Sequence, residues 1–521
     1  MKEMSVPASA EVIVVGAGSA GAVLARRLVD AGVQVLLIEA GGRDESPAIH
    51  DPTRSFEPLG SADDWCYETV EQRHVGARRI AHPRGKVLGG SSCLNGMIFV
   101  RGHRSDFDTW AYLGNQGWSY DAVLPLFKRM EDYDGVADPY RSTGGPLHIH
   151  SSYEPHPLVG DLIQAASQAG IARNPDYNAE RMEGVAPIQF TVKDGERHNS
   201  FRAFVEPIER RAHLTVLTHA HVRRLLTERG RCTGVELLHG GSVHSVHAEL
   251  EVAVCAGAFD SPKLLMLSGI GPEAELRRHG IGVVLDLPGV GENLQDHVFS
   301  PLVYEAAQPI PPAIPGVMQF HGQMFWHSRD GLIGPDMQAL LGHLPHTPWE
   351  YSGPLEGYTL TSMLTRPASR GTVRLSGADP AAPPLIDPNY AGCDVDVDAI
   401  VSGLELLRQI GAQPALDAWR GREIFPGPEV RSLAELRYYV RRSYSTIYHP
   451  AGTCRMGVGA DAALDPQLRV RGIDGLRVAD ASAMPLITSG NTHAPTMMIA
   501  ERAADEILAA RGARPAIAAA A

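Results

Sequence analysis

The amino-acid sequence predicts an α/β fold whose first unit is a buried strand, a glycine-rich turn, a helix and a second strand. The segment "EVIVVGAGSAGAVLARRLVDAGVQVLLIEAGG", from residue 11, contains all four in order. Its apolar runs are short enough for buried parallel strands. Two later runs, "ELEVAVCAGAFDSP" and "DGLRVADASAMP", predict further buried strands that run into turns of small residues.

The glycines of the first turn have the GxGxxG spacing of a Rossmann-type nucleotide fold. Gly16 lets the chain turn, Gly18 lets backbone amides approach a pyrophosphate, and Gly21 lets the helix pack on the strand. The helix is expected to run to about Ala31, with Gly32 ending it. Its N-terminal amides would face the phosphates of a dinucleotide.

The end of the second strand carries an acid, Glu39, where ribose hydroxyls can donate to it. A carboxylate at that position disfavours a 2′-phosphate. This unit alone leaves NAD and FAD open, but Asp480, at the end of a late apolar strand, favours a flavin site; the alternative reading of Asp480 is a helix cap. "PGVGEN" (288–293) lacks the third glycine, so a second dinucleotide, NAD(P)H, is not expected.

Length, composition and charge restrict the class of protein. The 521 residues suffice for two or three domains, and 44% hydrophobic with 21% charged residues is typical of a globular protein. A net charge of −13 argues against nucleic acid as a partner. No apolar run reaches the roughly 18 residues of a membrane span, and the first ten residues lack the apolar core of a signal peptide. "RPAIAAAA" is expected to be a frayed tail.

Six scattered cysteines, with no CxxC pair, suit a reducing cytosol. This spacing predicts neither a zinc site nor a disulfide framework, so no metal is expected and the predicted location is cytoplasmic.

Four longer motifs identify a family. "GKVLGGSSCLNGMIFVRGHRSDFD" (85–108), "GAFDSPKLLMLSGIG" (257–271), "HPAGTCRMG" and "GNTHAPTMMIAERAAD" resemble signature segments of the glucose–methanol–choline (GMC) family of FAD-dependent oxidoreductases. They follow the family's order from residue 11 to about 510. The chain is most similar to the choline dehydrogenase-like and aryl or furanic alcohol oxidase branch.

The resemblance implies a discontinuous, Rossmann-type FAD-binding domain and an α+β substrate-binding domain with an antiparallel sheet. We expect residues 1–300 to be mostly FAD-binding, with part of 110–200 directed to the substrate domain. Residues 301–450 would form the substrate-binding domain, 451–512 would return to the FAD domain with active-site segments, and 513–521 would be the tail.

Local patterns support helices in these regions. "PLVGDLIQAASQAG" is expected to end at Gly170, and "SLAELRYYVRRS" opens with a capping box of Ser432 and Glu435. "DVDAIVSGLELLRQIG" is predicted to end at Gly411 and to bury one apolar face, formed by Val397, Ile400, Val401, Leu404, Leu407 and Ile410.

The resemblance also implies flavin contacts. The expected cofactor-binding residues are Gly16, Gly18, Ser19, Gly21, Glu39, Gly90, Ser91, Asn95, Gly96, Met97, Val222, Ala256, Asp480, Ala481, Pro495 and Thr496. Some members attach the flavin covalently through a histidine just before the motif's asparagine; Leu94 stands there, so the FAD is expected to be noncovalent. Arg84 and Lys86 either offset pyrophosphate charge or belong to a solvated run.

Catalysis in this family is hydride transfer from an alcohol carbon to flavin N5. A base must accept the hydroxyl proton, and a second group must fix the alcohol oxygen. The resemblance assigns these positions to His449 and His493, which are the predicted catalytic residues, with His449 preferred as base and the reverse assignment open. Tyr448, Phe325 and Trp326, with Met337, are candidate pocket residues that could equally be core.

The helix after His493 is expected to start near Pro495 and to point its positive end at the flavin. The predicted function is therefore oxidation of a primary alcohol to the aldehyde, with dioxygen or another acceptor reoxidising FAD. The alternatives are a hydroxynitrile-type lyase on the same fold, a dehydrogenase specific for choline-like substrates, and a non-catalytic flavoprotein. A quaternary ammonium would need a carboxylate and an aromatic box, for which Glu305 has no assigned place; residues 318–350 suit an aromatic alcohol better.

Overall fold

The computed structural model describes residues 6–348 and 356–512. The predicted tail, 513–521, lies outside them. Two seven-stranded sheets organise the chain. The strands of the first sheet are, in spatial order, Leu214–Leu217, Val35–Ile38, Ser9–Val15, Ser242–Val254, Arg231–His239 and His221–Glu228, with Leu476–Val478 also pairing on Ser242–Val254.

The first sheet confirms the predicted strand–turn–helix–strand unit. Ser9–Val15 lies parallel to both Val35–Ile38 and Ser242–Val254, and the helix Ser19–Asp30 connects the first two strands. The strand Leu476–Val478 joins the same sheet in parallel. The sheet thus assembles from residues near both ends and the middle of the chain, and its parallel strands Val35–Ile38 and Leu476–Val478 are fully buried, as covered strands must be.

The second sheet is antiparallel throughout. Its strands are Arg420–Phe425, Val298–Ala306, Gly357–Leu364, Met337–Gly342, Phe320–Trp326 and Gly184–Pro187, with Ser445–Thr446 also pairing on Val298–Ala306. Short two-stranded pairs complete the strands: Tyr67–Glu68 with Ala81–His82, Glu131–Tyr133 with Leu147–Ile149, Val192–Lys193 with Glu196–Arg197, Ile270–Gly271 with Leu285–Asp286, and Thr372–Arg374 with Leu385–Asp387.

The helices include those expected from the sequence. Their bounds are Ser19–Asp30, Pro47–His50, Arg104–Tyr112, Tyr120–Met130, Pro157–Gln168, Gly257–Leu267, Glu273–Arg278, Asp394–Gly411, Leu433–Ser443 and His493–Gly512. All six predicted apolar residues of Asp394–Gly411 are buried, and Ser432 and Glu435 form the predicted capping box. No helix of the described residues combines the length and hydropathy needed to cross a membrane.

Two hydrophobic cores accompany the two sheets. The larger packs the helices Ser19–Asp30 and His493–Gly512 against the first sheet, and the second packs Asp394–Gly411 against the antiparallel sheet. The helix His493–Gly512 therefore fixes its own first turn relative to the glycine turn of the first strand. This packing positions the site described next.

Candidate active site

A single large cavity extends from the glycine turn of the first sheet to the antiparallel sheet. Its wall contains most of the residues expected at the cofactor and the reacting group. Those that line it are Gly16, Gly18, Ser19, Glu39, Gly90, Ser91, Asn95, Gly96, Val222, Ala256, Tyr448, His449, Asp480, Ala481, His493 and Thr496.

Three predicted cofactor residues do not line this cavity. Gly21 packs the helix on the strand, since a Cβ there would lie 1.8 Å from the Gly16 carbonyl oxygen. Met97 is fully buried in a neighbouring core, and Pro495 is buried in the first turn of its helix. The structure does not place these three residues in the cavity wall, and their contacts with a cofactor stay predictions.

Phe325 and Trp326, which were predicted to line the substrate pocket, do not line this cavity. Every residue of the strand Phe320–Trp326 is buried, because the sheet is covered on both faces. Phe325 and Trp326 lie in two different hydrophobic cores, and Met337 joins the core of Trp326. Of this strand only Phe320, at its other end, reaches the cavity.

The two glycine-rich stretches meet in the cavity wall. Gly90 has a left-handed φ of 54°, and a Cβ on it would lie 2.6 Å from the Gly18 Cα. A side chain on Gly90 would separate the two backbones, whereas a Cβ on Gly18 would lie at 3.6 Å from the Gly90 Cα, an ordinary contact distance. The close approach leaves a narrow channel edged by backbone groups, which is the surface a pyrophosphate needs.

Glu39 lies at the end of its strand, as predicted. Its carboxylate accepts hydrogen bonds from the backbone N–H of Ala17 (3.0 Å) and of Gly41 (2.9 Å). Burial raises the pKa of Glu39 to about 7 against the lowering effect of these bonds. Donors such as ribose hydroxyls would favour its ionised form.

Asp480 forms the cap considered as its alternative role, and it also lines the cavity. Its carboxylate caps the turn Ala481–Ala483 through the Ser482 backbone N–H at 2.8 Å, and it also accepts from the Gly257 N–H at 2.8 Å and the Ser261 hydroxyl at 2.5 Å. Burial raises its pKa. It joins two strand ends of the first sheet at the cavity edge.

Arg84 and Lys86 have different environments. Arg84 lines the cavity, and its Nη2 donates to the Tyr448 carbonyl at 2.6 Å. Lys86 instead lies over the ring of Trp65, with 4.7 Å from Nζ to the ring centroid. Arg84 therefore supports the segment that carries His449, and Lys86 is not part of the cavity wall.

His449 is held by polar partners at both ring nitrogens. Its Nδ1 lies 2.9 Å from Nδ1 of His297, and its Nε2 lies 3.3 Å from Nδ2 of Asn491. The Oδ1 atom of Asn491 accepts from Gln338 at 3.1 Å, so the amide nitrogen faces His449. In the consistent tautomer, His449 donates through Nδ1 to His297 and keeps the Nε2 lone pair toward Asn491 and the cavity.

The pKa of His449 is well below 6.5. Burial is the main cause, and the neighbouring His297 imidazole and the Arg84 guanidinium oppose a second positive charge. Burial lowers the pKa of His297 as well, to about 4. Both imidazoles are therefore neutral near pH 7, and Nε2 of His449 is available to accept a proton.

The backbone of this segment is fixed by a buried carboxylate. Asp296 accepts from the His449 backbone N–H at 2.8 Å, from His82 Nε2 at 3.0 Å, from the Thr446 hydroxyl at 2.5 Å, and from the Tyr390 hydroxyl. Burial alone would raise the pKa of Asp296, but these partners lower it to about 2.

Tyr448, between Thr446 and His449, has a φ of 66°. A non-glycine residue in the left-handed region costs free energy that the surrounding contacts must offset. The Thr446 hydroxyl accepts its N–H at 2.7 Å.

His493 lies apart from the His449 pair. It is the first residue of its helix, nearly fully buried, and its Nε2 lies 3.2 Å from the Ser200 hydroxyl. Burial, with a smaller effect from Arg197, lowers its pKa to about 4. His493 thus lines the cavity, but the structure brings Asn491, not His493, to the reactive nitrogen of His449.

Sequence reasoning missed Asn491 and His297. Asn491 lies within the motif "GNTHAPTMMIAERAAD", two residues before the histidine that was chosen. His493 was chosen because it matches the second active-site position of the family motif, and a motif match does not specify which side chain contacts His449. His297 lies in "LQDHVF", whose pattern carries no catalytic signal.

The cavity fits FAD. The ionisable Glu39 and the glycine channel suit ribose and pyrophosphate, and the helix Ser19–Asp30 directs its N-terminus to the same place. Asn95 uses only Oδ1 in its hydrogen bonds with Met97 and Arg197, which leaves its amide donors for a ligand in the cavity. Residues at opposite ends of one cavity can therefore hold the nucleotide and the reacting ring.

The chain belongs to the GMC oxidoreductase family. The N-terminal GMC oxidoreductase model matches residues 10–299 and the C-terminal model matches residues 367–500. This membership makes it an FAD-dependent oxidoreductase that acts on CH–OH groups, with a small-molecule alcohol as substrate and a separate electron acceptor.

Several characterised proteins are similar over nearly the whole chain. The oxygen-dependent choline dehydrogenase of Sinorhizobium fredii is 39% identical, with 96% of this chain and 95% of that protein covered. Pyridoxine 4-oxidase from Mesorbium loti is 36% identical with a TM-score of 0.92, covering 96% and 99%. A formate oxidase variant from Aspergillus oryzae, described for its FAD modification, is 27% identical with a TM-score of 0.90, covering 98% and 100%.

Proposed function

We propose that the protein oxidises a primary alcohol to the aldehyde, with His449 as the general base. FAD, when bound, supplies a hydride acceptor. The observation that carries the proposal is the orientation of His449: His297 occupies Nδ1, and the Nε2 lone pair faces the cavity beside Asn491. A neutral alcohol is a poor hydride donor, so removing its proton at Nε2 promotes loss of the hydride from carbon.

Asn491 takes the second position in this proposal. Its amide nitrogen is held toward His449 by the bond from Gln338 to Oδ1, so the same N–H group can donate to the alcohol oxygen as the substrate enters. The alcohol oxygen would then lie between the Asn491 donor and the His449 acceptor. These two contacts would fix the direction of the bond from that oxygen to the carbon that loses the hydride. His493 instead supports the cofactor end of the cavity, through Ser200 and the first turn of its helix.

The FAD is proposed to be noncovalent. Leu94 lines the cavity at the position where a histidine would form the link, and its side chain has no atom that can bond to a flavin carbon. Denaturing the purified protein with acid should release all the yellow cofactor into the supernatant. Flavin that stays with the precipitated chain would contradict the proposal.

The chain's relatives suggest two substrate types, a quaternary ammonium alcohol and an aromatic alcohol. Around His449 the wall is formed largely by apolar side chains: Ile98, Phe299, Met318, Phe320, Leu340, Leu344 and Ile447. The acids that line the described part of the cavity are Glu39, Asp260 and Asp480, all at the nucleotide end. This distribution favours the uncharged aromatic substrate over choline.

The test is flavin bleaching without air. The holoenzyme is mixed anaerobically with benzyl alcohol, a hydroxybenzyl alcohol, a linear alcohol or choline, and absorbance near the flavin maximum is followed. Air is then admitted to learn whether dioxygen restores the colour, which separates an oxidase from a dehydrogenase. Absence of bleaching with every alcohol would overturn the proposal and favour the lyase alternative.

A matched variant tests the base. His449→Gln keeps a polar side chain of similar size, and we expect flavin reduction to slow by about 10² to 10⁴ while FAD stays bound. Reduction at the original rate would exclude His449 as the base.

A further inference from the structure

Besides His449, a further imidazole, that of His346, lines the alcohol end of the cavity. His346 follows the strand Met337–Gly342 and contributes to the cavity wall. Its ring lies against Phe299, with 5.3 Å between ring centroids and 59° between planes. Neither ring nitrogen forms a hydrogen bond within the described ranges 6–348 and 356–512.

His346 is connected through the Phe299 ring to the segment that carries His297, the partner of His449. Phe299 is two residues beyond His297, in the strand Val298–Ala306. His297 holds His449, and Phe299 holds His346. The wall therefore runs from the proton acceptor, past an aromatic ring, to a second imidazole further from the reacting centre.

The main chain at His346 is fixed by a buried hydroxyl. Thr359 Oγ1 accepts the His346 backbone N–H at 2.7 Å and donates to the Leu344 carbonyl at 2.8 Å. Thr359 is fully buried in the antiparallel sheet. The Thr359 side chain thus bridges the main chain of Leu344 and His346 and holds the His346 imidazole at the cavity wall.

The surroundings of this imidazole are apolar. Met318, Phe320, Leu340 and Leu344 share this part of the wall with it. Met318 also lies against the turn that meets the cofactor, since a Cβ on Gly96 would lie 3.0 Å from its Sδ. A ligand ring filling this space would find hydrophobic contacts at its faces and a polar partner at His346.

We propose that His346 is a specificity-determining residue that forms a hydrogen bond with a polar substituent on the ring of an aromatic alcohol, such as a ring hydroxyl. This inference rests on the proposed oxidation of an alcohol at His449. Burial lowers the pKa of His346, so the imidazole is neutral near pH 7 and both donates and accepts. A substrate whose only polar group is the reacting hydroxyl leaves this imidazole without a partner.

The experiment compares 3- and 4-hydroxybenzyl alcohol with benzyl alcohol. The apparent second-order rate constant for anaerobic flavin reduction is measured for each on the wild-type holoenzyme, on His346→Phe and on His346→Gln. Affinity for 3- and 4-hydroxybenzaldehyde and for benzaldehyde is measured separately by their perturbation of the flavin spectrum. His74, an exposed histidine outside the cavity, supplies the control His74→Phe.

We expect the wild type to prefer one hydroxylated ring over the unsubstituted ring by roughly fivefold to tenfold in both measurements, as one neutral hydrogen bond supplies. His346→Phe should abolish this preference, His346→Gln should restore part of it, and His74→Phe should keep all of it. An equal preference in wild type and His346→Phe overturns the inference. Failure of every alcohol to reduce the flavin, with the aldehyde preference intact, would instead reject the proposed oxidation and leave the binding role of His346 standing.

Discussion

Nδ1 of His449 lies 2.9 Å from Nδ1 of His297, and this contact leaves Nε2 as the nitrogen that the proposed mechanism uses as the base. With the amide nitrogen of Asn491 at Nε2, His449 donates through Nδ1 and accepts through Nε2. A buried imidazole whose donor is occupied by another neutral imidazole is a base with a low pKa. It is unprotonated before the alcohol arrives.

A pH dependence follows from this arrangement. The pKa of His449 is lowered well below 6.5, so the base loses function only when the pH falls through that lowered value. We expect the apparent second-order rate constant for flavin reduction, which reports the free enzyme, to be constant from about pH 6.5 to about pH 9 and to fall only in more acidic buffers. Stopped-flow traces on the holoenzyme would measure it; an acidic limb centred above pH 7 would show that His449 is charged in the resting enzyme.

Asn491 and His493 are distinguished by what each contacts. Asn491→Ala removes the donor beside His449, and we expect flavin reduction to slow by about 10² with little change in FAD content. His493→Ala removes a side chain bonded to Ser200, and we expect the larger effect on FAD retention. Rapid-mixing kinetics and the flavin-to-protein absorbance ratio are measured for both variants. A greater kinetic loss in His493→Ala than in Asn491→Ala would restore the original pairing of the two histidines.

Thr446 links the buried carboxylate to the strained backbone at Tyr448. Its hydroxyl donates to Asp296 and accepts the Tyr448 N–H, so Thr446→Val keeps the shape, removes one of the donors to Asp296 and leaves the Tyr448 N–H without this acceptor. We expect it to lower the free energy of unfolding by about 1–3 kcal/mol, measured by urea unfolding of the holoenzyme. Thr446→Ser retains both bonds and is the control. Equal stability of the valine variant and the wild type would mean that these bonds do not hold the segment.

Much of the fold was predictable because its signals are local. The spacing of Gly16, Gly18 and Gly21 predicts a tight turn between a strand and a helix. Ser432 with Glu435 predicts where a helix starts, from two residues only three positions apart. Each such signal depends on neighbours in sequence. The family motifs then predicted that His449 lies together with the cofactor-binding residues.

The contacts between distant segments were not predictable in this way. His297 and His449 are separated by 152 positions, and neither segment's pattern specifies which side chain meets the other. Phe325 and Trp326 do not line the cavity, whereas Phe320 of the same strand does, and a strand covered on both faces gives no sign in sequence of which end opens onto a cavity. Asn491 lies two residues before His493, the residue at which a helix starts. The backbone conformation of the turn there decides which of the two side chains faces His449.

The last prediction concerns the cofactor and Glu39. This carboxylate accepts two backbone N–H groups, faces the cavity, and has a pKa raised to about 7 by burial. Ribose hydroxyls donate to the ionised form, so bound FAD should lower the pKa of Glu39 and release a proton. FAD affinity should then increase as the pH rises toward 7 and level off above it.

Glu39→Gln removes the ionisable group and one of its two acceptor oxygens. We expect the dissociation constant for FAD to rise at least tenfold at pH 8, since hydrogen bonds to a charged acceptor contribute about 1.5–3 kcal/mol. The variant should also lose the increase in affinity between about pH 5.5 and pH 7. Flavin fluorescence quenching on adding FAD to cofactor-stripped protein measures both quantities. Because Asp480 and Asp260 also line the cavity and have raised pKa values, a pH dependence that persists unchanged in Glu39→Gln would assign the titrating group to one of these two acids and exclude Glu39 as the carboxylate that meets the ribose.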